Sequence, residues 1–315
     1  MTLRRRCLAV AVGLAAVVVL AGCGKHGSTS SPPGPSGPAG VGTPEPQTNC
    51  TKKATDASGL ERALSEASSG DVVCVTGDLG DARLKIDKGG SESSPLRVLG
   101  DGRTKVKGIS VAADNVVVDG FVADEPKAPG ASLKGSNITL RNTAINGPRR
   151  DDGDGIRFWG SNIRIEHNTI TDTRNAKGAH ADCMQTFATD DDNPASQDVL
   201  IDSNRCEKID NNCLIVEGPN SEAGDGSGDG ETRNITFSNN YCENKAAQAV
   251  LIDDTDHAVI TGNEIVGDIN HAFALQNKAT NAVVNGNKAR SVRYEVGMDR
   301  SSRSGYQGPE PGGAP

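Results

Sequence analysis

The sequence predicts an all-β chain that is wound as a parallel solenoid and closed at its N-terminal end by one short α-helix. One unit recurs along the chain: a strand of alternating β-branched residues, a polar pair, and a second apolar alternation. Successive units are offset by 22, 26, 36, 36, 23 and 24 residues, and a step of 22–24 residues suits one solenoid turn of three short strands. An asparagine marks one position of the unit, and Gly120 takes that position in the earliest copy. The aligned asparagines are Asn142, Asn168, Asn204, Asn240, Asn263 and Asn287.

Asparagine and glycine suit this position because both tolerate the left-handed backbone of a sharp bend. Stacked asparagine side chains also bond to one another between parallel strands. The two steps of 36 residues contain the insertions 188–198 and 218–233. Insertions in solenoids lie on one loop face, which is often the binding face.

The N-terminal helix is predicted from the stretch SGLERALSEASSG, residues 58–70. Ser58 and Glu61 have the spacing of a capping box, and Gly70 is a helix stop. An apolar stripe along the helix is formed by Leu60, Ala63, Leu64 and Ala67. Such a helix covers the open end of a solenoid, so we assign residues 49–297 to one solenoid domain.

The first residues have the pattern of an export signal. Three arginines, Arg4–Arg6, precede an apolar run that closes with LAGC, and we assign residues 1–22 to a signal peptide. LAGC resembles the bacterial lipobox, which implies that Cys23 is lipidated and is the first mature residue. The alternative is an ordinary signal peptide with a chance cysteine near its end. The resemblance implies a protein that is exported and anchored by lipid to the outer face of the bacterial cell membrane.

Both ends of the mature chain are poor in residues that form a core. Residues 23–48 are rich in Gly, Ser, Pro and Thr, and we expect a flexible tether. Residues 298–315, which end in GPEPGGAP, are expected to be disordered.

Charge and composition exclude some partners. Removing residues 1–22 leaves 30 Lys and Arg against 41 Asp and Glu, a net charge of −11. Nucleic acid is therefore not an expected partner, because phosphate binding needs a basic surface. A polyanionic substrate would need a bridging cation. Aromatic residues make up 3% of the chain, which argues against a long sugar-stacking platform. We expect a monomer.

The repeat resembles the right-handed parallel β-helix of the pectate-lyase-like superfamily, over about residues 55–297. The resemblance implies a right-handed solenoid. It implies no single chemistry, because the superfamily contains lyases, hydrolases, epimerases and non-enzymes.

Aligning the strand that follows each bend places side chains in columns. Ile156, Met184 and Leu214 share an inward column, because strand side chains alternate between the two faces of a sheet. The outward positions of the first coils are unusually polar. They include His180, Asp182 and Gln185, with Asp154 and Arg157 one coil below.

The same alignment suggests how six cysteines pair. An even number in an exported chain favours disulfides, and buried free thiols are the alternative. Cys183 and Cys213 share a column in adjacent coils, as do Cys206 and Cys242, and adjacent strands lie within disulfide range. We therefore predict Cys183–Cys213 and Cys206–Cys242, which leaves Cys50–Cys74 to pin the N-terminal segment.

The polar cluster favours a site that acts on an extracellular polysaccharide, with lyase cleavage of a uronic-acid-containing glycan as the first choice. A lyase needs a group that neutralises the carboxylate and a base that takes the C5 proton. Asp154 and Asp182, with the loop Asp190–Asp192, are candidate ligands for Ca²⁺ as the neutraliser. His180 or Arg157 is the candidate base.

The remaining polar and aromatic candidates would contact the sugar. Gln185 is the residue expected to orient it, and Trp159 and Phe187 share a column that offers a small stacking surface. Each of these two rings is equally consistent with partial core. The aspartates at 190–192 favour a solvated loop over a metal site.

Two other functions stay open. DGDGI and ADCMQ resemble the aspartate motifs of the polygalacturonase family, which implies a glycoside hydrolase, although Ala181 stands where that family has the first of its paired aspartates. A non-catalytic module that binds glycan or cell wall would use the same groove for hydrogen bonds.

Overall fold

The computed structural model describes residues 39–176, 179–221 and 230–315. The predicted signal peptide, Cys23 and residues 23–38 of the predicted tether lie outside the described residues. Within the described part, no helix has both the length and the apolar character needed to cross a membrane.

The described residues fold into 21 strands, one α-helix and one 3₁₀ helix. In the N-terminal part these are β1 (Lys52–Ala54), α1 (Ala57–Ser65), β2 (Val72–Val75), β3 (Leu84–Ile86), β4 (Leu96–Val106), β5 (Ile109–Ala112), β6 (Val116–Asp124) and β7 (Ala131–Arg141). In the middle they are β8 (Ala144–Asn146), β9 (Ile156–Glu166), β10 (Thr169–Thr171), β11 (Met184–Phe187), β12 (Gln197–Asp202), β13 (Arg205–Ile209) and β14 (Leu214–Glu217). In the C-terminal part they are β15 (Thr232–Ser238), β16 (Tyr241–Asn244), β17 (Gln248–Asp253), β18 (Thr255–Thr261), β19 (Glu264–Gln276), β20 (Val283–Asn285), β21 (Lys288–Met298) and the 3₁₀ helix Ser301–Arg303.

All named strand pairs are parallel, and each strand pairs with its counterparts in the coils before and after it. The strands form three faces, and the longest strands bend through a corner and contribute to two of them. One face contains β3, β5, β11, β14 and β17 with parts of β7, β9, β19 and β21. We call its solvent side the outer face. The inward side chains form one core of Val, Ile, Leu and Phe that runs the length of the molecule. The predicted all-β solenoid is confirmed.

A ladder of asparagines runs up one corner. The Oδ1 atom of Asn204 accepts from the backbone N–H of Asn168 at 2.9 Å and from its Nδ2 at 3.0 Å, and Asn240 does the same for Asn204. The ladder continues through Asn263 to Asn287. These asparagines are buried or nearly so, so the ladder satisfies backbone and side-chain groups that water does not reach.

The predicted alignment is wrong by one residue at its start. Arg141 pairs in register with Glu166, and the backbone N–H of Thr143 donates to Oδ1 of Asn168, so Thr143 is the ladder position of that coil. Asn142 instead has a φ of 51° and belongs to a second column that precedes the ladder. Every member of that column has a positive φ, namely Gly120, Asn142, His167, Ser203, Asn239, Gly262 and Gly286. Asparagine suits both columns, which is why the sequence does not separate them.

The predicted helix is present with a different cap. The side chain of Asp56 accepts from the N–H of Gly59 at 2.8 Å, so Asp56 is the N-cap and the helix begins at Ala57. Leu60 and Ala63 are buried against the first coil, as the apolar stripe predicts.

The Cys50–Cys74 disulfide is confirmed, but the other two predicted pairs are wrong. The structure pairs Cys183 with Cys206 and Cys213 with Cys242, each with a Cα–Cα distance of 6.0 Å. Stacked cysteines in neighbouring coils point the same way, which keeps their Cβ atoms about one strand spacing apart, beyond the usual disulfide range. Cysteines on opposite faces of one narrow coil point at each other. Each of these two bonds therefore crosses the core within a coil.

The ends are more ordered than the sequence predicts. Within the predicted tether, Gly40 donates to the Ser203 carbonyl, and Glu45 forms ion pairs with Arg97 and Arg141. These contacts place the described residues 39–48 against the side of the solenoid. Residues 298–315, predicted to be disordered, contain the 3₁₀ helix, and Gln307 forms a parallel bridge to Val283. Backbone pairing with the last coil compensates for the lack of large apolar side chains.

Candidate functional site

The outer face carries the predicted site residues in register. Arg157 pairs with Gln185, and Phe187 pairs with Glu217 in the next coil. Asp154, Asp182 and Asn212 precede these strands in three successive coils. Together with His180, these positions surround a groove of about 530 Å³ that we call the central groove. Its lining includes Asp152, Arg157, His180, Gln185, Phe187, Asn211, Asn212, Ile215, Glu217 and Gln248.

The two aspartates lie beneath the groove rather than in it. The side chains of Asp154 and Asp182 are 1% and 0% exposed. Asp154 Oδ1 accepts from the backbone N–H of Asp182 at 2.8 Å, and Asp182 Oδ1 accepts from the N–H of Asn212 at 2.8 Å. Each carboxylate therefore caps a backbone group of the next coil. Burial leaves them no surface for contact with a sugar, which corrects their predicted role as groups that touch the substrate.

Arg157 is held by two carboxylates. Its Nε donates to Asp154 at 2.6 Å, and its Nη2 donates to Asp152 at 2.5 Å. Burial alone would lower the pKa of the guanidinium, but Asp154 and Asp152 outweigh it and raise that pKa. Burial is also the main cause of a raised pKa at Asp154, which the ion pair partly offsets. A permanently charged, doubly paired guanidinium does not suit the role of a base that the sequence predicted for it.

His180 is the half-exposed partner of a buried carboxylate. Its Nδ1 lies 3.3 Å from Asp182 Oδ2, and its side chain is 54% exposed. The hydrogen bond with Asp182 raises the pKa of His180 to about 9, against the opposing effect of burial. Burial raises the pKa of Asp182 to about 6, although the bond to His180 lowers it. At neutral pH the imidazole is therefore a cation that faces the central groove.

Glu217 is a groove residue that the sequence reasoning did not select. Burial and then the nearby Asp253 raise the pKa of Glu217 to about 7. Asp182 and His180 also influence this pKa, so the three groups lie within electrostatic range of one another. The sequence contained a signal for Glu217, because the strand alignment places it in the same column as Trp159 and Phe187. Its burial could not be read from that column.

Gln185 lines the central groove and contacts Glu217. Its Nε2 lies 3.4 Å from Glu217 Oε2, while its Oε1 is buried without a hydrogen-bond partner in the described part of the chain. The Nδ2 atom of Asn212 is likewise buried without a hydrogen-bond partner in the described part of the chain. One unfilled acceptor and one unfilled donor thus belong to two residues that line the central groove. Buried polar atoms without partners cost free energy, and these two atoms have no exposed surface for contact with a ligand.

The two aromatic side chains differ in exposure. Trp159 is only 4% exposed, because its ring packs edge-on against Phe187 at 5.2 Å and Lys134 Nζ lies 4.8 Å from its centroid. Its Nε1 donates to the Phe187 carbonyl at 2.8 Å. Phe187 is partly exposed, and the guanidinium of Arg157 lies 5.4 Å from its ring. Phe187 therefore offers the stacking surface, and Trp159 supports it from below.

The carboxylates do not fit a calcium ion. Ca²⁺ takes six to eight oxygen ligands, but both oxygens of Asp154 and of Asp182 already accept from Arg157, His180 or backbone N–H groups. The predicted ligands are thus neutralised by cationic side chains. In the loop, Asp190 Oδ1 accepts from the N–H groups of Asp192 and Asn193, as in an ordinary turn. Within residues 39–176, 179–221 and 230–315, no group of three or more His, Cys, Asp or Glu side chains is arranged to hold a metal ion.

Solved structures with a similar fold include polysaccharide lyases. The PL6 family alginate lyase AlyGC superposes with a TM-score of 0.53 at 12% identity, over 78% of this chain and 40% of AlyGC. The PL6 family polysaccharide lyase Pedsa3628 from Pseudopedobacter saltans superposes with a TM-score of 0.52 at 19% identity, over 77% of this chain and 64% of that protein. This chain thus spans less than two thirds of either enzyme. At these identities the likeness is one of fold.

Comparison by sequence gives a family. A search of curated protein sequences found no significant match. A profile described as "Right handed beta helix region" matches residues 107–304, which is more than half of the chain. The parallel coils described above are what such a profile requires, and the chain therefore belongs to the right-handed β-helix family.

Proposed function

We propose that this protein is a polysaccharide lyase that cleaves a uronic-acid-containing glycan in the central groove. One observation carries the proposal: a cationic histidine and a carboxyl with a pKa near neutrality share one half-open groove, with Gln185 between them. The structural likeness to alginate and polysaccharide lyases supports the same reading at the level of fold. Perturbed pKa values that cluster in a cleft are typical of catalytic sites.

The chemistry assigned to the groove is a β-elimination. The imidazolium of His180 neutralises the uronate carboxylate, which makes the C5 proton more acidic. Glu217, as a carboxylate, takes that proton. The electrons of the C5–H bond form the C4–C5 double bond, and the bond from C4 to the glycosidic oxygen breaks. The oxygen leaves with its electron pair and is protonated by solvent.

The other groove residues position these two groups. Asp182 orients His180 and keeps it charged, so it is a positioning residue. Gln185 contacts Glu217 and is placed to hold a sugar hydroxyl. Arg157 is tied to Asp152 and Asp154, which fixes its guanidinium at the groove edge.

A hydrolase is less well supported. Glycoside hydrolases place two carboxyl groups on either side of the scissile bond. Asp154 and Asp182 are fully buried and bound to backbone groups, and Asp152, the other carboxylate that lines the groove, is paired with Arg157.

A non-catalytic glycan-binding module is the second candidate function. It is favoured because Asp154 and Asp182 are buried and bind backbone groups. A face that only binds sugars does not need these two carboxyl groups to be reactive. The same groove would then hold glycan through Gln185, Asn212 and Phe187.

The test is a panel of alginate, polygalacturonate and a neutral glucan with the full chain. Ultraviolet absorbance from an unsaturated uronate on one of the acidic polymers is the expected result. New reducing ends without that absorbance would identify a hydrolase. Binding without either product would identify the module. Glu217→Gln should abolish the absorbance, while Glu310→Gln, an exposed carboxylate in the tail, serves as the matched control.

We also propose that the protein is exported and anchored by a lipid at Cys23. The support is the sequence pattern of residues 1–23. Metabolic labelling with a radioactive fatty acid tests it: the wild type should incorporate label, and Cys23→Ser should not. Unlabelled wild-type protein in the same cells would contradict the anchor.

A further inference from the structure

A second groove of about 650 Å³ lies on the outer face, on the N-terminal side of the central groove. Five cationic side chains line it, and Asp81 is the one carboxylate among its described lining residues. The five cations are Arg83, Lys107, Lys127, Lys134 and Arg157. The whole chain has a formal net charge of −8, so this basic groove inverts the charge of the molecule locally.

Most of these cations have no acidic partner. Arg83 donates to the hydroxyl of Ser110 at 2.7 Å and to three backbone carbonyls, those of Ile109, Lys127 and Pro129. Burial lowers its pKa, since no neighbouring carboxylate compensates the charge. In the described part of the chain, no carboxylate oxygen lies within 4.0 Å of the side-chain nitrogens of Arg83, Lys107 or Lys134. Cations without acidic partners that line a concave surface attract anions.

The cations follow the solenoid axis. Arg83 belongs to the coil of β3, Lys107 to that of β5, Lys134 to that of β7, and Arg157 to that of β9. Neighbouring coils are separated by about 4.8 Å, so the cations extend over roughly 14 Å along the axis. They do not share one column, because Lys134 follows the residue level with Ile109 by three positions, whereas Lys107 precedes Ile109 by two. A sugar chain that lies along the axis would have cations on both sides. Lys127, which is 3.3 Å from Asp151, is a further cation of the groove.

The basic groove and the central groove are continuous, because Arg157 and Phe187 line both. Beyond this junction the lining contains His180, Asp152, Glu217 and several amide side chains. The central groove therefore has groups of both charges, whereas cations dominate the basic groove.

We propose that the basic groove binds an extended, carboxylate-bearing stretch of the sugar chain, which runs from Arg83 to the junction at Arg157. This inference rests on the proposed function, because the central groove sets where the chain is cleaved. It adds a direction, since the anionic stretch lies toward the N-terminal coils. A nucleic acid fits less well, because the chain as a whole is acidic, with a formal net charge of −8.

Binding by calorimetry tests the proposal on the full chain at low salt. The probes are hexamers and dimers of galacturonate, mannuronate and guluronate, with cellohexaose, a heparin hexasaccharide and an oligothymidylate for comparison. The double variant Lys107→Gln/Lys134→Gln removes two cations of the basic groove. Lys208→Gln/Lys288→Gln removes two exposed charges outside both grooves and is the matched control.

The double variant should bind the preferred uronate hexamer at least about tenfold more weakly. It lacks the charge-assisted hydrogen bonds that Lys107 and Lys134 would donate to the sugar carboxylates. Its affinity for the dimer should fall less than its affinity for the hexamer, because a dimer at Arg157 does not reach Lys107, two coils or about 10 Å away. The control should match the wild type. Equal affinity of the double variant and the control for the hexamer would overturn the proposal.

The other probes separate the remaining outcomes. Failure of the wild type to bind any uronate hexamer, or equal binding of cellohexaose, overturns the proposal. Tighter binding of heparin or of oligothymidylate overturns the assignment to a carboxylated glycan. Loss of hexamer binding in the double variant without any cleavage by the wild type supports the basic groove and contradicts the lyase. Cleavage by the wild type that the lysine substitutions do not change supports the lyase and contradicts the basic groove.

Discussion

The Nδ1 atom of His180 lies 3.3 Å from Oδ2 of Asp182, a carboxylate with no exposed side-chain surface. The same aspartate accepts, through Oδ1, from the backbone N–H of Asn212 in the next coil. Asp182 therefore bonds both to the backbone of the next coil and to the charged imidazole of His180 in the central groove. Its effect on His180 is directly measurable.

Replacing Asp182 should change the titration of His180. In Asp182→Asn the pKa of His180 should fall from about 9 toward its usual 6.5, because the hydrogen bond with the carboxylate is its main cause. Proton NMR titration of the imidazole measures it, with the resonance assigned by its loss in His180→Gln. Asp190→Asn, in the exposed loop, should leave the titration unchanged. An unchanged pKa in Asp182→Asn would contradict the coupling.

The same pair links stability to pH. The folded-state pKa of His180 is raised, so its contribution to the free energy of unfolding is fully present below about 6.5 and is lost as the pH rises through about 9. Urea denaturation at several pH values should therefore show wild-type stability falling over this window more than that of His180→Gln. Parallel curves for the two proteins would contradict the assignment.

The rate of glycan cleavage should depend on pH through both groove residues. The rate should fall below about pH 7, where Glu217 becomes protonated, and above about pH 9, where His180 loses its proton. The measurement is kcat/KM across this range on the preferred uronate polymer. A rate that rises steadily through pH 9 would contradict the role of the imidazolium.

Two of the disulfides should each join cysteines of the same coil. Peptide mapping without reduction should recover Cys183 linked to Cys206 and Cys213 linked to Cys242. In Cys206→Ser, the thiol that becomes free should be Cys183. Recovery of Cys183 linked to Cys213 would show instead that the bonds join neighbouring coils.

The asparagine ladder should be a major source of stability. Asn204→Ala removes hydrogen bonds to Asn168, Asn240 and the Ile165 carbonyl at a fully buried position, and it should lower the free energy of unfolding by about 3 kcal/mol. Asn285→Ala, an exposed position that accepts from the Thr261 hydroxyl, should cost about 0.5 kcal/mol. Reversible urea denaturation compares the two variants. Equal losses would contradict the importance of the ladder.

The coil pattern could be predicted from the sequence because strand alternation and turn residues repeat along the chain. The inward column of Ile156, Met184 and Leu214 is observed in register. The corner could not be resolved, because Asn142 is chemically suited to both the left-handed column and the ladder. Only the hydrogen bond from the Thr143 backbone N–H to the Asn168 side-chain Oδ1 separates them.

The candidate site was only partly predictable for a related reason. Column alignment tells which residues are neighbours along the axis, and it placed Arg157 beside Gln185 correctly. It gives neither the distance across the core, which decides the cysteine pairing, nor the depth of a side chain. Asp182 and Glu217 both occupy outward columns, yet Asp182 is fully buried while Glu217 lines the groove.

The most direct test of the central claim is the rate at which Glu217→Gln forms an unsaturated uronate, measured by ultraviolet absorbance in single turnover on a bound uronate hexamer. We expect this rate to fall by a factor on the order of 10² to 10⁴, since a proton acceptor is removed. The affinity for the hexamer should stay within about threefold of the wild type, because the basic groove is intact. A variant that binds the hexamer and cleaves it at the wild-type rate would contradict a lyase site built on Glu217 and His180.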